Sequence, residues 1–218
     1  MIKAVIFDMD GVIIDSEPVY QKWLKDFLSN NHIEVSAEEL KTIPGISTQA
    51  FKNKVEEWWR NSGKSFISGE ELNKMYDNFC DPLIISYEKI KNPFLLETME
   101  ELKINGYKIA IASSSPLKNI KEVIKEIGID GYIDVKISGE MFKLSKPNPE
   151  IYCYTAKMLG LNNSQCIAVE DSTYGIEAAV NAGMKVIAKK DDRYGFDQSK
   201  ATYHIDDLFE IINIVNSI

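Results

Sequence analysis

The sequence predicts an α/β protein: a Rossmann-like parallel sheet with helices on both faces, plus a small all-helical cap domain inserted after the first strand. Three observations predict it. From Lys108 onward, short apolar runs alternate with helical patterns of about a dozen residues, the rhythm of βαβ units and of a sheet covered on both sides. Several helical patterns stop at a glycine (Gly106, Gly128, Gly160 and Gly183), which suits the position just past a helix. Between Ser16 and Lys91 that rhythm is broken by a stretch of helical periodicity with no convincing strand.

In chain order, Lys3–Phe7 is a short apolar run ended by Asp8-Met9-Asp10-Gly11, a buried strand running into a loop. Val19, Tyr20, Trp23, Phe27 and Leu28 then recur at helical spacing behind Ser16 and Pro18. Ser36-Ala37-Glu38-Glu39 is a capping-box signature, and helices are predicted over Ser47–Asn61 and Gly69–Ile90, the second interrupted by Pro82. Trp23, Trp58 and Trp59 stand at helical spacing and are read as packing the core of this insert, with stacking on a substrate as the alternative. Beyond it come a helix over Phe94–Asn105, a strand over Lys108–Ala112 stopped by Ser113-Ser114-Ser115-Pro116, and a helix over Leu117–Ile127. Strand Val135–Ser138, helix Pro149–Leu159, strand Cys166–Glu170, helix Tyr174–Asn181, strand Val186–Ala188 and a weak strand at Thr202–His204 complete the pattern. The expected domains are a core of residues 1–15 and 92–218 and a helical unit of residues 16–91. Both connections leave one sheet edge, so the helical unit is expected as a lid over the carboxyl end of the first strand.

Composition narrows the function. With 218 residues, 44% hydrophobic and 27% charged, the chain is neither disordered nor fibrous. A net charge of −8 is a poor match for nucleic-acid phosphates or an anionic bilayer, so the expected partner is a small molecule and the expected state a monomer. Only Arg60 and Arg193 are arginine, so at most two planar clamps for phosphate or carboxylate are available. Cys80, Cys153 and Cys166 lack the count and spacing of a disulfide framework or zinc site. No apolar run approaches a membrane span, and Asp8 arrives too early for a signal peptide, so a cytoplasmic protein is expected. Asn162-Asn163-Ser164 is then a chance glycosylation pattern. Gly63-Lys64-Ser65 is similar to the tail of a P-loop, but Trp58 stands where that motif needs glycine. His32 and His204 are isolated and receive no role.

Ligands of an open parallel sheet bind beyond the carboxyl ends of its strands. The first strand deposits Asp8, Asp10 and Gly11 there, the second Ser113, the third is followed by Lys146-Pro147-Asn148-Pro149, and the fourth by Glu170-Asp171-Ser172. Uncompensated, such carboxylates repel and raise each other's pKa values. A hard divalent cation removes the problem, and Mg²⁺ typically takes one or two carboxylates plus substrate phosphate. Ser113 and Lys146 add a donor and a positive charge for a phosphoryl group, and a carboxylate can act as nucleophile.

These residues carry a resemblance. Asp8-Met9-Asp10-Gly11-Val12-Ile13-Ile14-Asp15-Ser16-Glu17 resembles the first signature of the haloacid dehalogenase-like superfamily. Ser113, Lys146 in Lys-Pro-Asn-Pro-Glu-Ile-Tyr, and Glu170-Asp171-Ser172-Thr173-Tyr174-Gly175-Ile176 are similar to the other three signatures, in order and over the full chain. A helical cap between the first two signatures is similar to the subgroup of β-phosphoglucomutases and small sugar-phosphate phosphatases. The resemblance implies that Asp8 is the nucleophile and Asp10 the general acid and then base. It implies Mg²⁺ on Asp8, the Asp10 carbonyl and Asp171, with Glu170 direct or through water. Phosphoryl oxygens fall to Ser113 and Lys146, helped by backbone N–H groups near Met9 and Ser114. The dehalogenase branch normally lacks the second acid, so Asp10 speaks for phosphate chemistry. For Asp15, a hinge or helix-entry role and a chemical role both stay open.

Phosphatase and mutase share this core and differ in the cap. The mutase turn reads Gly-x-Ser-Arg, whereas this chain has Gly45-Ile46-Ser47-Thr48, and the mutase's cap histidine is matched by Tyr20. Its basic residue in the last long cap helix has no counterpart in Tyr76-Asp77-Asn78-Phe79, with Lys52, Lys54 or Arg60 left as the alternative cations. The expected specificity residues are therefore Gly45, Ile46, Ser47, Thr48, Tyr20 and Trp23. The expected function is a phosphatase of a sugar or polyol phosphate, with a β-phosphoglucomutase, and then a catalytically silent binding protein, as alternatives.

Overall fold

The computed structural model describes residues 1–80 and 85–218, so the predicted break at Pro82 lies outside the described residues. Strand β1 (Ala4–Phe7) is followed by helices α1 (Glu17–Asn30), α2 (Ala37–Leu40), α3 (Thr48–Asn61), α4 (Gly69–Cys80), α5 (Tyr87–Ile90) and α6 (Leu95–Ile104). Then come β2 (Lys108–Ser113), α7 (Leu117–Glu126), β3 (Val135–Ser138), α8 (Glu150–Met158), β4 (Cys166–Glu170), α9 (Thr173–Asn181), β5 (Lys185–Lys189), β6 (Tyr203–Ile205) and α10 (Glu210–Asn216). Among the described residues no helix is long and apolar enough to cross a membrane.

The chain divides into two compact units, Met1–Asp15 with Tyr87–Ile218, and Ser16–Ser86. Tyr87–Lys91, placed in the helical insert by the sequence reading, belong with the sheet unit. Ile90 and Tyr87 pack on the sheet's apolar core. The Asp15 N–H donates to the Ile90 carbonyl at 2.7 Å, and Ile14 bridges Lys91. Backbone pairing, invisible to a composition shift, moves the boundary.

In the sheet unit, six strands run parallel in the order β3-β2-β1-β4-β5-β6 among the described residues. Side chains alternate across a strand, and here the alternation is also one of size. Val5, Phe7, Ile109, Ile111, Ile167 and Val169 join α6, α7 and α10 in one core. Ala4, Ile6, Ala110, Ala112, Cys166 and Ala168 join α8 and α9 in another. The alanine-rich face leaves room for α8 and α9 to lie close to the strand ends that carry the acidic residues. The C-terminal helix α10 goes beyond the predicted elements; it buries Ile211, Ile212 and Val215.

The helical unit has its own core of Leu24, Phe27, Leu28, Leu40, Val55, Trp58, Trp59 and Leu72. Trp58 and Trp59 pack there, and each indole N–H finds an acceptor, Glu39 Oε1 at 3.2 Å and the Ser65 carbonyl at 2.9 Å. The capping box at Ser36 forms. Ser36 Oγ accepts from the Glu39 N–H, and the Glu39 carboxylate reaches back to the Ser36 hydroxyl and backbone while also accepting from the Trp58 indole. Ser47 caps α3 by accepting from the Ala50 N–H at 3.2 Å. Ser16 precedes α1 without a side-chain capping bond. Trp58 is only 4% exposed. Trp58→Ala is therefore expected to cost about 3–5 kcal/mol, read as a fall in the urea midpoint of the helical unit.

Candidate active site

In the strand order 3-2-1-4-5-6 the connection reverses direction beside β1, and a crevice opens there at the carboxyl ends. Asp8 leaves β1 at that point, its N–H held by the Val169 carbonyl of β4 at 2.9 Å. The chain then turns tightly. The Gly11 N–H donates to the Ile14 carbonyl at 2.7 Å, and Ile13 and Ile14 donate back to Met9. Gly11 has φ of 84°, and a Cβ there would overlap the Asp171 carboxylate, so both conformation and space call for glycine. From the β4 side, a Cβ on Gly175 in the first turn of α9 would overlap the Glu170 carboxylate. Ser172 caps α9 by accepting from the Gly175 N–H.

Asp8, Glu170 and Asp171 are all buried, and each offers a carboxylate oxygen within 4.8 Å of the others. Lys146 sits between them, its side chain 8% exposed. Its Nζ lies 2.6 Å from Asp8 Oδ1 and 2.6 Å from Glu170 Oε1. It also donates to the Ala112 carbonyl at 3.0 Å and lies over the Tyr152 ring. Burial works against this ammonium, but the charges of Asp8 and Glu170 outweigh it and hold the lysine well above its ordinary range. Burial is also the largest influence on Asp8 and pushes its carboxyl up to about 8; Lys146 opposes the rise, and the charges of Glu170 and Asp10 add to it. One ammonium thus faces three buried carboxylates. That surplus of negative oxygen fits a hard divalent cation, and Asp8, Glu170 and Asp171 could hold one.

Of the other predicted site residues, Ser113 is buried at the end of β2, where its Oγ accepts from the Ser115 N–H at 3.0 Å. Ser114 is exposed. The Asp10 side chain accepts from the Ser115 hydroxyl at 2.7 Å, and its charge also acts on Asp8. Asp15 is paired through both oxygens with Arg193, at 2.8 and 2.9 Å, and Arg193 also binds Asp191. One of the two arginines is therefore committed to carboxylates of the sheet unit. In the helical unit, Tyr20, Trp23, Gly45, Ile46 and Thr48 line one pocket of about 440 Å³, while Ser47 serves as a helix cap. Phe51, Tyr76, Glu17 and Asp77 share that lining, which among the described residues contains no lysine, arginine or histidine.

Sequence reasoning missed Tyr152 and Ser115. The fully buried Tyr152 hydroxyl donates to Glu170 Oε1 and so orients the carboxylate that Lys146 also grips. Its signal was the tyrosine six residues after Lys146 in a motif already singled out, read for its lysine alone. Ser115 lay hidden in a run of three serines.

The fold is that of an α/β enzyme, with a carboxylate cluster and one buried lysine at the switch point of its parallel sheet. Residues 5–189 match the haloacid dehalogenase-like hydrolase family, and the chain belongs to it. The chloroplastic protein Suppressor of Quenching 1 of Arabidopsis thaliana is 30% identical over 190 residues, which are 87% of this chain but 18% of that protein, so this chain spans less than a fifth of that relative's length. A phosphorylated carbohydrates phosphatase of Thermotoga maritima is 29% identical over 191 residues, 85% of this chain and 83% of the relative. The structure of a β-phosphoglucomutase from Clostridium difficile superposes with a TM-score of 0.76 at 25% identity, over 100% of this chain and 96% of that one.

The raised Asp8 pKa has a consequence for stability. A carboxyl that holds its proton more tightly folded than unfolded contributes stability that falls as pH rises, here from about 4 toward 8. In excess chelator, Asp8→Asn should therefore melt above the unaltered protein at pH 8, by about 2–4 °C for each kcal/mol recovered. The gain should shrink as pH is lowered toward 4; a gain that grows instead would contradict the assignment.

Proposed function

We propose that this enzyme is a Mg²⁺-dependent phosphatase that hydrolyses a small sugar or polyol phosphate through an aspartyl-phosphate. The observation that carries the reading is the different fate of the two acids of Asp8-Met9-Asp10. Asp8 lies buried against an ammonium, while Asp10 is half-buried and hydrogen-bonded to a hydroxyl outside the cluster. Two carboxyls in such unlike environments suit two roles. Asp8 attacks phosphorus. Asp10 gives its proton to the leaving oxygen and then takes one from the water that releases phosphate. Lys146 and Ser113, with backbone N–H groups near Met9 and Ser114, bind the phosphoryl oxygens. Asp8, the Asp10 carbonyl and Asp171, with Glu170, would hold Mg²⁺, which when bound neutralises charge on the phosphoryl group.

The 16–86 unit selects the substrate through the pocket around Tyr20, Trp23 and Thr48. A bisphosphate needs cations for its second phosphate. This lining has carboxylates, hydroxyls and aromatic rings instead, which suit an uncharged hydroxylated skeleton. The β-phosphoglucomutase reading is supported by the structural likeness over the whole chain, and it is disfavoured by that missing cation. The three unpaired cysteines support a reducing, cytoplasmic setting, and we assign a monomer.

Incubation with a panel of phosphorylated sugars and polyols plus Mg²⁺ should release inorganic phosphate. Asp8→Asn and Asp10→Asn should each lose at least roughly 10²–10⁴-fold in rate. EDTA should abolish turnover. Mg²⁺ should also raise the melting temperature of the unaltered protein while leaving Asp171→Asn unmoved, which tests the site independently of catalysis. Thr48→Arg should tighten bisphosphate binding. Efficient conversion of β-glucose 1-phosphate to glucose 6-phosphate would install the mutase in place of the phosphatase.

A further inference from the structure

We infer that Ser115 is the positioning residue for the general acid Asp10: its hydroxyl holds the Asp10 carboxyl in one orientation. The inference rests on the phosphatase reading above. Its starting point is the hydrogen bond from the Ser115 hydroxyl to Asp10 Oδ2 at 2.7 Å. A serine hydroxyl has one proton to give, and here it is given to Asp10. That short bond fixes the rotation of the Asp10 carboxyl group, and with it the direction in which its other oxygen points.

Ser115 is itself held from several directions, which makes its hydroxyl a fixed donor. Its N–H donates to Ser113 Oγ at 3.0 Å. Its carbonyl accepts from the buried Ser138 hydroxyl at the end of β3, at 2.7 Å. Ser138 in turn accepts from the Glu140 N–H at 3.2 Å, and the Glu140 carboxylate accepts from the Leu117 N–H at 3.0 Å, at the start of α7. Pro116 follows and restricts the Ser115 backbone to extended conformations. Asp10 is thus steered by a brace that joins the loops after β2 and β3, and none of its members belongs to the Asp8, Glu170 and Asp171 cluster.

In the step this serves, Asp8 forms its bond to phosphorus as the bond from phosphorus to the ester oxygen breaks. The proton of the Asp10 carboxyl moves to that departing oxygen. The Ser115 proton stays where it is. The contribution of Ser115 should therefore scale with how much the leaving group needs a proton. An alkoxide needs it; p-nitrophenolate leaves without it.

The test is kcat/KM, which reports the chemistry up to departure of the alcohol, measured with Mg²⁺ on glycerol 3-phosphate, phenyl phosphate and p-nitrophenyl phosphate. Ser115→Ala should lose about 10-fold or more on glycerol 3-phosphate, part of the roughly 10²–10⁴ of the acid itself, and under about 3-fold on p-nitrophenyl phosphate. Phenyl phosphate should fall between. Ser115→Thr, which keeps the hydroxyl, should restore the glycerol 3-phosphate rate. Ser115→Cys, a weaker donor of similar size, should repeat the selective loss and serves if the alanine variant does not fold. Equal losses on all three esters, or no loss on any, would overturn the positioning role while leaving the phosphatase reading intact. An unaltered protein that turns over none of the esters would overturn both.

Discussion

The Lys146 ammonium between Asp8 and Glu170 is the contact on which the arrangement depends. It ties the loop that follows β3 to the ends of β1 and β4, and through the Ala112 carbonyl to β2. Those segments are far apart in the chain, and each brings a polar group into the interior. Carboxylates buried alone would take up protons or unfold the edge. A buried ammonium alone would be worse, since breaking such a pair on one side typically costs about 3–5 kcal/mol. The charges are therefore buried as a set. Tyr152 completes that set by donating to Glu170, and the glycines at 11 and 175 leave the room it needs.

That set is held at a cost to stability. Two carboxylates share one lysine with a third beside them, and Asp8 is held far from its ordinary pKa by its surroundings. Strain of this kind tends to concentrate where function needs it, with the rest of the fold supplying the margin. Here the margin comes from two apolar layers. The bulky one lies on the side of α6, α7 and α10, and the alanine-rich one lets α8 and α9 bring Lys146, Tyr152 and Gly175 up to the strand ends.

The helical unit is built on a different principle. Its core rests on tryptophan and phenylalanine rings with their polar atoms satisfied, and its pocket is aromatic and acidic. The proposed specificity follows from what that lining lacks. Arg60 is exposed on α3 and Arg193 is occupied by Asp15 and Asp191, so neither arginine serves as a second phosphate clamp among the described contacts.

The sheet and all of its longer helices but α10 were legible because apolar runs, helical periodicity and the glycine stops are local, and every strand was predicted within a residue or two of its place. Asp8, Ser113, Lys146, Glu170 and Asp171 were legible for the same reason, since each follows its strand or lies in a short recognisable segment. Ser115 and Tyr152 were not, because a hydroxyl declares a partner only when another segment arrives beside it. The boundary at Tyr87 and the pairing of Asp15 with Arg193 are of the same kind. What the sequence determined by itself was the set of elements and the types of charged group at their ends, because backbone periodicity and turn chemistry act over a few residues. What only the tertiary structure decided was which oxygen meets which donor, because hydrogen bonds are short and directional and the partners here lie tens to more than a hundred residues apart.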